Sequence, residues 1–212
     1  MDSPIKVALL GATGKAGKYL LNELLNKGYQ VRSLIRNPEK YTLTHPAMEI
    51  IKGDITDKEA ALTLLKGCNV VISVIGQPKD EPLNSSIAAT HITSAMKAHN
   101  IKRYIFVTGL NMDLPGDQKS DATQQATQWM KQTFPIVVAD KEKALKIVAD
   151  SNLDWTLVRL PWIEETEERR TLTVNLVDNP GEKIGTTDLA DFLISQITDN
   201  SFLRKGPFVA SL

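Results

Sequence analysis

The sequence predicts a doubly wound α/β fold: a parallel sheet with helices on both faces. Three observations predict it. Short apolar runs alternate with amphipathic helical runs from residue 5 to residue 160. The first apolar run ends in a glycine-rich turn that opens a helix. The fourth run, Val70-Val71-Ile72-Ser73-Val74-Ile75, is apolar almost throughout, as a strand covered on both faces requires.

The elements follow in order. Residues 5–10 are a buried first strand, stopped by Gly11. Residues 19–26 place Tyr19, Leu20, Leu21, Leu24 and Leu25 at helical spacing, and Gly28 stands where a helix ends. Residues 30–35 and 48–52 are the second and third strands, the latter closed by Gly53-Asp54. A helix over 57–65 opens on Asp57 as its cap, the fourth strand covers 70–75, a helix covers 85–99 and a fifth strand 104–108. The polar span 109–135, rich in Gln, Asp and Thr, reads as a loop plus one helix, a length common in functional lids. A helix over 140–150 leads to a sixth strand at 155–160. Beyond Pro161 the pattern weakens to a strand within 171–177, a helix over 187–197 capped by Thr186 or Thr187, and a last short strand at 208–210.

The chain's 212 residues suit one domain, 1–212, with the part from about residue 161 forming a small substrate-side lobe. Lys and Arg total 25, as do Asp and Glu, so the basic excess a nucleic-acid surface needs is missing. The single cysteine, Cys68, cannot close an internal disulfide and reads as a small packing residue; a reducing cytoplasm is the expected compartment. The N-terminus lacks a basic segment followed by an apolar run, and no apolar stretch has the roughly 20 residues of a membrane helix. The expected assembly is a monomer or homodimer. His45, His91 and His99 do not converge at ligand spacing, so no metal is expected.

Gly11-Ala12-Thr13-Gly14-Lys15-Ala16-Gly17 lies between the first strand and the first helix. Gly11 permits the tight turn, Gly14 lets backbone approach a pyrophosphate, and Gly17 lets helix pack near strand. N–H groups at the helix start, Ala16 among them, then face the anion along the helix dipole, with Thr13 and Lys15 adding a hydroxyl and a charge. The alternative is a glycine turn without a ligand.

The spacing is GxxGxxG. With Val7-Ala8-Leu9-Leu10 before it, the run resembles the extended and atypical short-chain dehydrogenases/reductases, most closely the NAD(P)H-binding, NmrA-like group that includes biliverdin reductase B and the flavin reductase-like proteins. Four further stretches are similar to that group: Arg36-Asn37-Pro38-Glu39-Lys40, Gly53-Asp54-Ile55-Thr56-Asp57, residues 151–161 and residues 184–192. The resemblance implies an NAD(P)-binding Rossmann fold. It places Asp54 near the adenine, where it also serves to cap its turn. Ile55, Val74, Ile75 and Gly76 pack along the adenosine, beyond the carboxyl ends of the strands. Pro161, in the family's substrate-side turn, is expected to be a further cofactor-binding residue.

After the second strand, enzymes for NAD usually place an acid for the ribose diol. Here stands Arg36, suited to pair with a 2′-phosphate, and in the family such an arginine goes with NADP. NADP(H) is therefore expected over NAD(H). Lys15 and Arg32 are possible reinforcements, Arg32 otherwise being an exposed strand residue. Glu39 would favour NAD if its loop turned it inward.

Short-chain dehydrogenases use a serine, a tyrosine and a lysine. The family pattern puts the lysine at Lys141, where it hydrogen-bonds the nicotinamide ribose unless it is simply a solvated helix lysine. Four residues earlier stands Val137, and Thr108 is the nearest hydroxyl to the serine's place, which Gly109 otherwise takes. Two readings remain. In one, the chain passes hydride to a conjugated small-molecule acceptor of flavin or quinone class, with water supplying the proton. Trp129, Phe134 and Trp162 are then pocket walls, or else core. In the other, it is a redox sensor of NmrA type that binds NADP(H) without turnover and signals to a protein partner. The acidic run from Glu164 to Glu168 reads as a solvated face or as part of the pocket rim.

Overall fold

The computed structural model describes residues 4–77 and 83–212; the first three residues, on which the reading of the N-terminus partly rests, lie outside that range. An eight-stranded sheet has the order β3-β2-β1-β4-β5-β6-β10-β8. Its strands are β1 (Lys6–Leu10), β2 (Gln30–Ile35), β3 (Met48–Lys52), β4 (Val70–Ser73), β5 (Arg103–Gly109), β6 (Asp154–Leu160), β8 (Leu172–Asn175) and β10 (Phe208–Ser211). All neighbours pair in parallel except β10 and β8, which are antiparallel. The order reverses between β1 and β4. A second sheet pairs two parallel strands, β7 (Trp162–Glu164) and β9 (Lys183–Gly185).

Alternation along the strands builds two cores. Val7 and Leu9 of β1 face α1 (Gly17–Asn26) and α6 (Thr186–Ser195), packed through Leu20, Leu24, Leu189 and Leu193. Ala8 and Leu10 face the other way, toward α2 (Lys58–Leu65), α3 (Ser85–Ala98) and α5 (Pro135–Ala149), through Leu64, Ile92, Met96 and Val148. Because β1 to β6 each contribute to both cores, their near-continuous apolar runs are explained.

Local chemistry sets the ends. Lys27 caps α1, and Gly28 follows in the left-handed region at φ +81°. Asp57 caps α2 by accepting from Glu59 N at 2.9 Å. Four expectations are corrected. Helix α5 begins at Pro135, five residues before the expected start at 140, because a proline at the first helical position gives up an N–H that has no helical partner anyway. It follows α4 (Asp121–Thr133) after one residue. The cap of α6 is Gly185; Thr186 and Thr187 instead donate their hydroxyls to Thr166 O at 2.8 and 2.9 Å. The fourth strand stops at Ser73, so Val74 and Ile75 belong to the loop beyond it. Arg32 is buried rather than exposed, its guanidinium held by Glu49 at 3.0 Å and by Lys66 O.

Candidate functional site

Where the strand order reverses, the loops after β1, β2, β3 and β4 open into a cleft of about 830 Å³. Ligands of open α/β sheets settle at such a switch point. Gly11, Thr13, Gly14, Arg36, Asp54, Ile55, Val74, Ile75 and Gly76 all line it. Ala16 and Pro161 are buried and do not line it.

The glycines have distinct duties. Gly11 has φ +87°, and a Cβ there would lie 2.8 Å from Val74 O. A Cβ on Gly17 would lie 1.9 Å from Gly11 O, so only glycine lets α1 start this close to β1. Those two roles hold without any ligand. Gly14 is different: its Cβ would meet only Gly11 O, at 3.3 Å, so the missing side chain leaves its cleft side open. Gly14 N donates to Gly11 O at 3.0 Å and Lys18 N to Gly14 O at 3.1 Å. Ala16 offers no side-chain cap and the first turn of α1 holds no acid, which leaves the helix start suited to an anion. Lys15 turns away, donating to Ile163 O at 2.8 Å with its ammonium 5.6 Å from the Trp162 ring centre. Lys18, not anticipated from the sequence, lines the cleft and pairs with Glu165.

At the other end, Arg36 Nε lies 3.9 Å from Asp54 Oδ2. Asp54 Oδ1 accepts from Thr56 N at 2.8 Å and Thr56 Oγ1 at 2.7 Å. Burial works to raise the Asp54 pKa, but the Thr56 hydrogen bonds and the Arg36 charge together bring it below the usual carboxylate value. Asn37, Lys40 and Tyr41 also line the cleft; Glu39 is exposed and outside the lining.

Thr108 and Lys141 meet in a second, smaller cavity of about 60 Å³, lined also by Ser73, Ser85, Tyr104 and Phe106. Ile75 lines both cavities. Thr108 Oγ1 is buried and has no hydrogen-bond partner among the described residues, and neither does the Lys141 ammonium. Burial pulls the Lys141 pKa below the lysine range. Val137 sits one helical turn before it, partly buried, with no phenol to offer. A side chain at Gly109 would come within 2.5 Å of Asn111 Oδ1, so Asn111 would have to turn aside to admit a serine there. Tyr104, also unanticipated, lies in the same cavity and stacks on Phe106 at 4.8 Å, but burial pushes its phenol far above the ordinary value, which makes it a poor acid.

Trp129, Phe134 and Trp162 are 56%, 44% and 76% exposed, so the core role left open for them is set aside. Trp129 and Phe134 meet edge to face at 5.8 Å. Cys68 is buried, its thiol pushed up to about 11. His91 and His99 hydrogen-bond Ile55 O and Leu62 O. Among the described residues there is no cluster of His, Cys, Asp and Glu able to hold a metal, and no helix is long and apolar enough to cross a membrane.

The family described as NAD(P)H-binding matches residues 11–200, from the glycine loop to the end of α6 and beyond. The chain belongs to the NAD(P)H-binding family. An uncharacterized chloroplastic protein of Arabidopsis thaliana is 20% identical over 94% of the chain and 72% of its own length. A dihydroflavonol 4-reductase of Callistephus chinensis is 26% identical over 76% of the chain. The photosystem II assembly factor Ycf39 of Cyanophora paradoxa is 30% identical over 51% of it. The matches cover only 52% and 36% of those last two relatives. Among solved structures, a short-chain dehydrogenase/reductase from Veillonella parvula in complex with NADP superposes with TM-score 0.80 at 19% identity, over 99% of this chain and 95% of that one. ChuY, an anaerobillin reductase from Escherichia coli O157:H7, gives 0.77 at 17% identity, over 99% and 97%. Fold and family thus agree with the NAD(P)-binding Rossmann fold that the resemblance implies.

Proposed function

We propose that this NAD(P)H-binding protein is an NADPH-dependent reductase that passes hydride to a conjugated acceptor of flavin or quinone class. The observation that carries the cofactor preference is the adenosine end of the cleft. Arg36 and Lys40 line it while Glu39, the one acid available to a ribose diol in that turn, is exposed outside it. Two cations with no inward-facing acid at the tip of β2 suit a 2′-phosphate.

When bound, the dinucleotide supplies the hydride. The chain's own residues hold and orient. The glycine loop and the start of α1 receive the diphosphate. Ile75 walls both cavities, and beyond it Lys141 and Thr108 present an ammonium and a hydroxyl, both in want of an oxygen partner, toward the nicotinamide ribose and the acceptor. A conjugated acceptor suits a site with Val137 in the tyrosine's place, because the charge arriving with the hydride spreads over the ring and water supplies the proton.

The same Val137 also favours a second reading, a sensor that binds NADP(H) and reports it to a protein partner without turnover. Mixing the purified protein with NADPH and either FMN or menadione separates the two. Acceptor-dependent loss of absorbance at the nicotinamide band is expected for the reductase. Tight NADPH binding with no such loss rejects it in favour of the sensor.

A further inference from the structure

Lys18 stands one helical turn beyond Gly14 and lines the cleft beside Thr13 and Gly14. Its ammonium pairs with the carboxylate of Glu165. Glu165 follows β7 in a strap that leaves β6 at buried Pro161 and lies against the start of α1. One lysine of α1 and one of the glycine loop tie the strap there, Lys18 through Glu165 and Lys15 through Ile163 O at 2.8 Å. The strap also has anchors that involve neither lysine. Strand β7 pairs with β9, and Thr166 exchanges hydrogen bonds with Thr186, its N–H donating to Oγ1 at 3.0 Å and its carbonyl accepting from Oγ1 at 2.8 Å. The Lys18–Glu165 tie can therefore change partners without the strap coming away.

The charges make that exchange the natural consequence of filling the cleft. A carboxylate held against the glycine loop and a diphosphate received by it are like charges competing for one ammonium. The diphosphate also gains the N–H groups at the start of α1, which Glu165 does not engage. Both partners of the existing pair are nearly half exposed, at 49% and 41%, so the pair itself is weak and readily surrendered.

Resting on the reading that this loop holds a dinucleotide, we propose that Lys18 is a further diphosphate ligand held in reserve by Glu165. Cofactor entry transfers the ammonium from carboxylate to phosphate. Glu165 is thus a built-in competitor that lowers cofactor affinity, and the strap loses one of its two lysine ties to the start of α1 when the site fills.

The test is a four-protein cycle of wild type, Lys18→Ala, Glu165→Gln and the double variant, each titrated with NADP⁺ in a calorimeter after a melt has shown that it is folded. Removing the competitor should tighten NADP⁺ binding roughly two- to fivefold when Lys18 is present, the range expected for an exposed pair. Lys18→Ala should weaken binding, and in that background Glu165→Gln should change nothing. An equal gain in both backgrounds, which reports simple long-range repulsion, overturns the exchange, as does no gain at all. Wild-type protein that binds neither NADP⁺ nor NADPH removes the cofactor reading and this inference together; binding without the Lys18-dependent gain removes the inference alone.

Discussion

Lys141 carries a charge where burial makes charge expensive, and no carboxylate among the described residues offsets it. Its folded pKa is lowered relative to the unfolded chain, so the charged form costs stability below the folded pKa and that cost fades as pH rises through it toward the ordinary lysine value. A group left in this state points to use rather than to packing. Lys141→Met should therefore raise Tm by roughly 2 °C at pH 7, with the gain shrinking as pH climbs toward 10. The same variant should lower kcat/KM for NADPH about tenfold or more. Thermal melts across that pH range, beside steady-state rates, check both halves; a variant that is less stable and equally active contradicts the assignment. Residues such as this one were only half legible in the sequence. Lys141 was placed by a family pattern, but its desolvation depends on Phe106, Leu145 and Leu157 closing around the cavity it shares with Thr108. Arg32 shows the opposite failure. A charged residue on a strand reads as exposed, and its partners Glu49 and the Lys66 carbonyl lie too far along the chain for any local pattern to reveal.

Among the elements, β1 and α1 approach one another through the absence of a side chain at Gly17. A methyl group at Gly17 would overlap the Gly11 carbonyl and push α1 off the strand end. Gly17→Ala should cost about 3 kcal/mol, a fall in Tm of roughly 6–12 °C, and should weaken cofactor binding, because the N–H groups of the helix start are displaced from the cleft. Unchanged melting and unchanged affinity would show that the close approach is not needed. The first six strands, all parallel, and their connecting helices were legible because each is long enough to show its period. Strands β7 and β9, three residues each, are too short to show one, and their pairing is fixed by where Pro161 and Gly185 turn the chain. The first turn of α5 was missed because Pro135 looks like an interruption, whereas at the first position it opens the helix. The cleft was legible for the same reason as the strands: Gly11, Arg36, Asp54 and Val74 all sit at strand ends. Lys40, Tyr41 and Asn84 reach it from turns whose direction no periodicity encodes.

Across the whole molecule, the distal half is held by Arg159. Only 1% exposed, it pairs with Asp117 at 2.6 Å, donates to Gly206 O, Met112 O and Leu176 O, and stacks 3.5 Å from the centre of the Phe208 ring. One guanidinium thus joins β6, the loop before α4, the end of β8 and the approach to β10. Arg159→Met should cost about 3–5 kcal/mol in urea unfolding, because Asp117 and three carbonyls lose their donor, while Arg159→Met with Asp117→Leu should recover part of the loss. A single variant costing less than about 1 kcal/mol, or a double variant no better than the single, contradicts this role.

The claim on which these scales converge is that the glycine loop and the β2 turn together receive a phosphorylated nicotinamide dinucleotide. Calorimetric titration of the wild-type protein with NADPH and with NADH tests it most directly. The account predicts one site per chain, with NADPH bound at least tenfold more tightly than NADH and that preference lost in Arg36→Ala. Absence of heat with either dinucleotide, or equal affinity for the two, would contradict it.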